Sequence, residues 1–473
     1  MAEEYFKLFF DDRGNLQDAT QQTAIIDALV SSPKPVTDLW IFAYGWNNDL
    51  KSGTQTYDNW IARMREAQQR LVKDPGYNPL FVGIYWPSKA WDDTIVKPIA
   101  TPSVPTSREA ATGGGTGEFE LGDDPHPQSE GISDSNKKDQ NRFVADYRAV
   151  MDPEGIYGDD YDRDFIRLYT LMAQPQSLTD KEIREFVRIL KKYETPDPHS
   201  DPLEKQNISS VSVEVVVNQL KEAGRYESFS GRDVLQKLFG ASSFWKMKGR
   251  AAIVGENGVY RFLVDVKKAL RQHQQQVRIH LLGHSFGAKL VTAAIYPATI
   301  SQDIERPFIN TLVLLQGAFS QFSFSSAIPV ETGATGYYAS VMERGVVANP
   351  IIVVYSRYDT ANKGYYPLGM FFARPTRRYE QGEADEAEEM YTPSKNLFGA
   401  LGANGAQGLE EMHYRAIDML SGERSYDLGN LTGITCLNVD GQQFINHGGP
   451  PAGAHNDING YEIFHLALAL SLR

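Results

Sequence analysis

One short junction constrains this sequence more than any other feature. The nearly continuous apolar run Val277-Arg-Ile-His-Leu-Leu282 leads straight into Gly283-His284-Ser285-Phe286-Gly287, and the helix-forming set Ala288-Lys-Leu-Val-Thr-Ala-Ala follows without a break. Alone, Gly-x-Ser-x-Gly is a pentapeptide that any surface turn can carry. Between a strand and a helix it has a more demanding reading, a sharp strained turn that displays a serine hydroxyl at the end of a sheet. Gly283 and Gly287 suit that turn, because side chains there would collide with the strand and the helix. Ser285 is therefore the candidate nucleophile.

The rest of the chain supplies a sheet to carry the turn. Leu39–Tyr44, Leu80–Tyr85, Val277–Leu282, Thr311–Leu315, Ile351–Tyr355 and Ile434–Asn438 read as strands covered on both faces, with Tyr5–Phe10 as an edge strand. Helical patterns lie between them at Tyr57–Leu71, Val259–Leu270, Ala288–Tyr296 and Tyr461–Leu472. This alternation predicts an α/β fold with a mostly parallel, doubly covered sheet.

The expected core comes in two parts, 1–87 and 244–473, separated by an insertion over 88–243. Residues 97–140 are crowded with Pro, Gly, Ser, Thr and acids, and read as a mobile loop. The insertion then turns helical, with Thr179-Asp-Lys-Glu182 as a capping box, and reads as a lid or cap. A smaller irregular excursion is expected over 362–429, with His413 in a helical pattern within it.

With 47 Lys and Arg against 60 Asp and Glu, the 473 residues carry a formal charge of -13, which repels phosphate backbones. Nucleic acid is not an expected partner. Cys436 is the only cysteine, so neither an intrachain disulfide nor a cysteine-based zinc site can form. The acid-rich run Tyr157–Asp164 lacks the spacing of a calcium loop and reads as a solvated loop, so no metal is expected. Gly113–Gly117 lacks the Lys and Ser/Thr of a phosphate loop, and no cofactor is expected. No apolar run reaches the roughly 20 residues of a membrane-spanning helix, and the N-terminus lacks the order of a secretory signal; a cytoplasmic location is the expectation, with export by a route that needs no cleaved signal as the alternative. Nothing in the sequence indicates an oligomeric state.

A serine hydroxyl is a weak nucleophile and needs a histidine to take its proton and a carboxylate to hold that histidine. After such a turn the partners follow in the order acid, then histidine. Asp359, just beyond the strand Ile351–Tyr355, is the first candidate acid, and Asp440 the second. Of the nine histidines, His413, His447, His455 and His465 follow Asp359. His465 falls inside the last helix as a core residue. His455 stands directly before that helix and is the preferred base, with His447 in the same loop as the alternative. A developing oxyanion needs two backbone N–H donors, for which the N–H groups of Phe286 and Trp46 are placed, the latter in Tyr44-Gly45-Trp46-Asn47-Asn48. Tyr44, Gly45, Trp86 and His284 are expected to line the substrate pocket.

Taken together, the strand ending Tyr44-Gly-Trp-Asn-Asn48, the strand ending Tyr85-Trp-Pro-Ser88, the Gly283–Gly287 turn, Tyr355-Ser-x-x-Asp359 and Gly453-x-His-x-Asp-Ile458 resemble the α/β-hydrolase fold superfamily. They are most similar to its lipase-like and esterase-like members, over residues 36–87 and 245–473. The resemblance implies Ser285 as nucleophile, Asp359 as acid, His455 as base, and Trp46 and Phe286 as the oxyanion hole. Tyr44 departs from it, since members often carry His before the oxyanion glycine. The implied reaction is hydrolysis of a small-molecule or lipid-like carboxylic ester through an acyl-enzyme. The same three residues would serve an amidase, peptidase or thioesterase, and an idle binding protein would keep the fold alone.

Overall fold

Among the described residues, eight strands form a single sheet in the order β1-β3-β2-β4-β5-β6-β8-β7, and every neighbouring pair is parallel. They are β1 Phe6–Phe9, β2 Asp38–Ala43, β3 Pro79–Tyr85, β4 Arg278–His284, β5 Thr311–Leu315, β6 Ile351–Tyr355, β7 Tyr414–Asp418 and β8 Cys436–Asp440. The computed structural model describes residues 5–89, 134–152, 155–173, 179–193, 198–200, 213–214, 231–329, 332–362, 399–427, 429–449 and 452–472. Gly113–Gly117 and most of the loop expected over 97–140 lie outside them. Residues 134–140, read as part of that loop, instead belong to a helix.

Every residue of β2 and β5 is buried, as both faces of an interior parallel strand must be. Helix α1, Ala19–Ser31, starts at an Asp18 cap whose carboxylate accepts the Thr20 N–H at 2.9 Å, and α2, Leu50–Leu71, starts at a capping box of Asp49 and Ser52. The stripe Tyr57, Trp60, Ile61 and Met64 buries α2, and Trp60 meets Phe464 of the last helix at 6.2 Å between ring centroids.

Between β3 and β4 run α3 Asp134–Met151, α4 Gly158–Ala173, α5 Asp180–Tyr193 and α6 Gly231–Ile253. A π-helical turn, Val254–Val259, joins α6 to α7, Tyr260–Gln272. Of the acid-rich run 157–164, expected as a loop, residues 158–164 open α4 instead. Asp159 and Asp160 occupy its first turn, where the helix dipole favours carboxylates, and Tyr161 and Phe165 are buried one turn apart. The capping box of α5 forms as expected, with Glu182 accepting the Thr179 N–H at 2.8 Å. Arg167 grips Glu185 in a two-pronged ion pair at 3.0 and 2.8 Å, tying α4 to α5.

The excursion expected to be irregular contributes a strand. His413 ends a 3-10 turn rather than lying in a helix, and the residues after it form β7, the far edge of the sheet. Tyr414-Arg-Ala-Ile-Asp418 is half exposed, so it lacks the apolar run by which the interior strands are recognised. Within the described residues no helix is long and apolar enough to cross a membrane.

The strand order fixes where a site can form. β2 connects toward β3 on one side and β4 toward β5 on the other, so the neighbours β2 and β4 flank the reversal point of the sheet. Their carboxyl ends are where ligands bind in such sheets. They carry Tyr44–Asn48 and Ser285.

Candidate active site

Ser285 sits between β4 and α8, Phe286–Ile295, with φ 56° and ψ -120°. A non-glycine residue in this region stores on the order of 1–3 kcal/mol of strain, and the surroundings hold it there. The Ser285 N–H donates to the Leu315 carbonyl at 3.0 Å, and its own carbonyl accepts from Ala318 at 3.2 Å and Ala288 at 3.1 Å. The two flanking glycines are required by close approach. A Cβ on Gly283 would lie 2.3 Å from the Gly287 oxygen, and one on Gly287 would lie 2.1 Å from the Ala43 oxygen.

His455 rides on a 3-10 turn, Ala454–Asn456, ahead of the last helix, α9, Tyr461–Ser471. Its Nε2 lies 2.9 Å from Ser285 Oγ, and its Nδ1 lies 2.9 Å from Asp359 Oδ2. A carboxylate beside Nδ1 puts the ring proton there and leaves Nε2 free to accept from the serine hydroxyl. Asp359 follows β6 in a turn closed by its N–H to the Ser356 carbonyl at 3.1 Å. The acid and base loops are stitched together by a bridge between Asp359 and Gly453, with Ala454 N–H donating to the Tyr358 carbonyl at 2.9 Å. Asp359 is fully buried, Ser285 is 4% exposed and the His455 side chain 12%.

Two residues that the sequence did not single out hold the carboxylate. Asn362 donates its backbone N–H to Asp359 Oδ1 at 2.9 Å and its amide to Oδ2 at 2.7 Å. Gln316 adds a longer bond from Nε2 to Oδ2 at 3.4 Å. Gln316 stands 43 residues from Asp359 in sequence, so no local pattern marks the pair.

The alternative candidates lie elsewhere. The His447 side chain is 83% exposed and bonds Asp457 at 3.2 Å. Asp440 accepts the Gln442 N–H at 2.9 Å in the turn after β8. His465 is buried in α9 beside the rings of Tyr426 and Tyr461.

On the other side of Ser285, the loop after β2 approaches so closely that a Cβ on Gly45 would lie 2.7 Å from Ser285 Cβ. Ser88 fastens this loop. Its carbonyl accepts the Asn47 N–H at 2.9 Å, and its hydroxyl accepts from Asn48 N–H at 3.2 Å and donates to the Asn48 carbonyl at 2.9 Å. Asn47 takes φ 65°, which turns the chain sharply after Trp46. Phe286 opens α8, where the first turn of a helix offers N–H groups with no intrahelical acceptor. The Trp46 ring stands 6.0 Å from Phe286 and 6.1 Å from Phe244 of α6.

Tyr44 and Trp86 bond to each other across the ends of β2 and β3. The Tyr44 hydroxyl donates to the Trp86 carbonyl at 3.2 Å, and Trp86 Nε1 donates to the Tyr44 carbonyl at 3.1 Å. Burial pushes the Tyr44 hydroxyl well above its ordinary value and keeps it protonated. His284 turns its Nε2 to the His455 carbonyl at 2.8 Å, and burial holds its pKa well below that of a free imidazole, so the ring is neutral.

No protein-family model, curated protein or solved structure matches this chain. The chemistry open to the site follows from its own geometry. A hydroxyl, an imidazole and a carboxylate are linked in series, beside two backbone segments that can point N–H groups at a carbonyl oxygen bound over Ser285. Among the described residues, no group of three or more His, Cys, Asp or Glu gathers as a metal site.

Proposed function

We propose that this chain is a serine hydrolase of the α/β-hydrolase fold that cleaves carboxylic esters through an acyl-enzyme. The observation that carries the reading is the series Ser285 Oγ, His455 Nε2, His455 Nδ1 and Asp359 Oδ2, with 2.9 Å at each of its two hydrogen bonds. Its position at the reversal point of a parallel sheet, on a strained serine, supports the same reading.

In this mechanism His455 Nε2 takes the Ser285 proton as Oγ attacks the ester carbonyl. The C=O π electrons move to oxygen, and the N–H groups of Phe286 and Trp46 receive that charge. Asp359 holds the imidazole in its reactive tautomer and stabilises the imidazolium. The imidazolium returns its proton to the leaving alkoxide, giving alcohol and an acyl-Ser285. Water, deprotonated by His455, then releases the carboxylic acid and restores the hydroxyl. The aromatic faces of Trp46, Phe244 and Phe286 make an apolar flank to the oxyanion side, which suits an apolar acyl group. In this reading the insertion between β3 and β4 is the lid or cap, and α6, which runs from it into the core, lends Phe244 to that flank.

The test is labelling with a fluorophosphonate probe, wild type beside Ser285→Ala, followed by hydrolysis of p-nitrophenyl esters of increasing chain length. Labelling that disappears in Ser285→Ala, with turnover of the esters, is the expected result. A folded wild-type protein that neither labels nor turns over any ester would sink the proposal.

A further inference from the structure

Gln316 is the first residue after β5, adjacent to Leu315, whose carbonyl receives the Ser285 N–H. It is fully buried, and its φ of 46° lies in the left-handed region, which glutamine rarely enters. That backbone turn aims its amide at both partners of the nucleophile. Nε2 donates to the Ala454 carbonyl at 2.9 Å, in the turn that bears His455, and reaches Asp359 Oδ2 at 3.4 Å. The Gln316 carbonyl in turn accepts from Asn362 Nδ2 at 3.1 Å, the same amide that bonds Asp359 Oδ2 at 2.7 Å. Gln316, Asn362 and Asp359 thus close a ring of hydrogen bonds.

We propose that Gln316 is a positioning residue that fixes the acid and the base of this site in one hydrogen-bonded frame, an inference that rests on the serine-hydrolase reading above. A glutamine kept only for packing would not need this arrangement. Rotating the amide by half a turn would set its oxygen against the Asp359 carboxylate and the Ala454 carbonyl, so the two acceptors dictate its orientation. Oε1 is then left buried without a hydrogen-bond partner among the described residues, a penalty that an apolar side chain of the same size would avoid. The positive φ adds strain at the same position. Both penalties persist together where the amide proton has a task that packing cannot perform.

That task is geometric. Asp359 Oδ2 receives three donors, His455 Nδ1, Asn362 Nδ2 and Gln316 Nε2. With the carboxylate held from behind, it cannot rotate away when the imidazole gains a proton. The Ala454 carbonyl, held by the same amide, keeps the His455 backbone in register with Ser285. Among the described residues no hydrogen bond joins Gln316 to Ser285, so its removal is expected to change the rate of the serine step and not the affinity for a short ester.

The experiment compares wild type, Ser285→Ala, Gln316→Met and Gln316→Glu by fluorophosphonate labelling rate, by the kcat and KM of a short p-nitrophenyl ester, and by melting temperature. Gln316→Met keeps length and loses both donors. Its labelling rate and kcat are expected to fall about 10- to 100-fold, with KM changed less than about twofold. In Gln316→Glu the introduced carboxyl donates while protonated and repels Asp359 once ionised. Its labelling rate relative to wild type is expected to fall as pH rises, a limb that loss of packing would not produce. A folded Gln316→Met that labels at the wild-type rate overturns the proposal. Should that variant fail to fold, a Gln316→Glu profile parallel to wild type overturns it equally. An unlabelled wild type removes the serine-hydrolase reading and this proposal with it, whereas a labelled wild type beside unaffected variants removes this proposal alone.

Discussion

His284 donates its Nε2 proton to the carbonyl oxygen of His455 across 2.8 Å. The residue before the nucleophile therefore holds the backbone of the residue proposed as base, and the two imidazole centroids stand 4.9 Å apart. A second charged ring at that distance would oppose proton uptake by His455. Burial prevents this by keeping His284 neutral.

A buried neutral histidine makes stability depend on pH, and the sign follows from proton binding. Burial lowers the pKa of His284 and also that of His280 below the ordinary imidazole value. In the unfolded chain these rings take up protons at about pH 6.5, while the folded chain does not. The stability they contribute is therefore complete above about pH 6.5 and is lost as pH falls toward the folded values. The urea midpoint is expected to drop between pH 8 and pH 5.5. Replacing His284 by Gln keeps an amide donor and removes the titration, so the drop should be shallower, by up to about 1.4 kcal/mol per pH unit for one proton. Identical slopes for the two proteins would show that His284 does not carry the effect.

The contact between Gly45 and Ser285 leaves no room for a methyl group, since a Cβ there would lie 2.7 Å from Ser285 Cβ. Gly45→Ala must push the Trp46 loop away from the serine, against the hold of Ser88. Loss of a single oxyanion donor lowers kcat by about 10²–10³-fold. A kcat loss of that order is expected for Gly45→Ala, with a urea midpoint near that of wild type. Unchanged turnover would mean that this loop plays no part in the chemistry.

The sheet was legible because its interior strands are nearly continuous apolar runs, and the position of Ser285 was legible because the elbow is local. Ser285 in the elbow, Asp359 beyond a strand end and His455 directly before the last helix lie in hydrogen-bonding series in the structure. β7 was not legible, because an edge strand with half-exposed residues lacks the apolar signature. The start of α4 differs from its expectation because its acids resemble a solvated loop, while Tyr161 and Phe165 form a buried helical face. Gln316 is out of reach for a different reason: its partners Asp359 and Ala454 lie in other loops, which only tertiary structure brings to it. Asn362 stands three residues after Asp359 in the same turn, but a lone Asp-x-x-Asn does not mark its amide as bound to that carboxylate.

At the opposite ends of the strands lies a second polar cluster. Asp38 receives Arg278 Nε at 2.8 Å and His280 Nε2 at 2.9 Å, and His280 Nδ1 meets the Thr311 hydroxyl at 3.0 Å. Burial pushes the Asp38 carboxyl up, but the bonds from His280 and Arg278 outweigh it and leave the group below its ordinary value. Asp38→Ala leaves the His280 donor buried and unpaired, which should destabilise the fold by about 2–4 kcal/mol. Asp38 begins β2, roughly 20 Å of strand away from the Gly45 loop. Labelling of the folded fraction is therefore expected to match wild type, and a selective loss of labelling at unchanged stability would contradict this assignment.

Cys436 gives a direct reading of the whole sheet. It begins β8, between β6 and β7, pairs in register with Ile351 and Tyr414, and is fully buried. Burial pushes its thiol up to about 12, so at neutral pH almost no thiolate exists to attack a reagent, and no reagent can reach it. Reaction with a thiol probe such as 5,5′-dithiobis(2-nitrobenzoate) is therefore expected to require opening of the sheet edge or global unfolding. In native buffer the single thiol should remain unreacted over minutes and react at once in denaturant. Its rate in intermediate urea should follow the unfolding curve. Since the chain has one cysteine, the signal has a single origin. Rapid reaction in native buffer would mean that β7 detaches from β8 without the rest of the sheet, making that edge the least stable part of the fold.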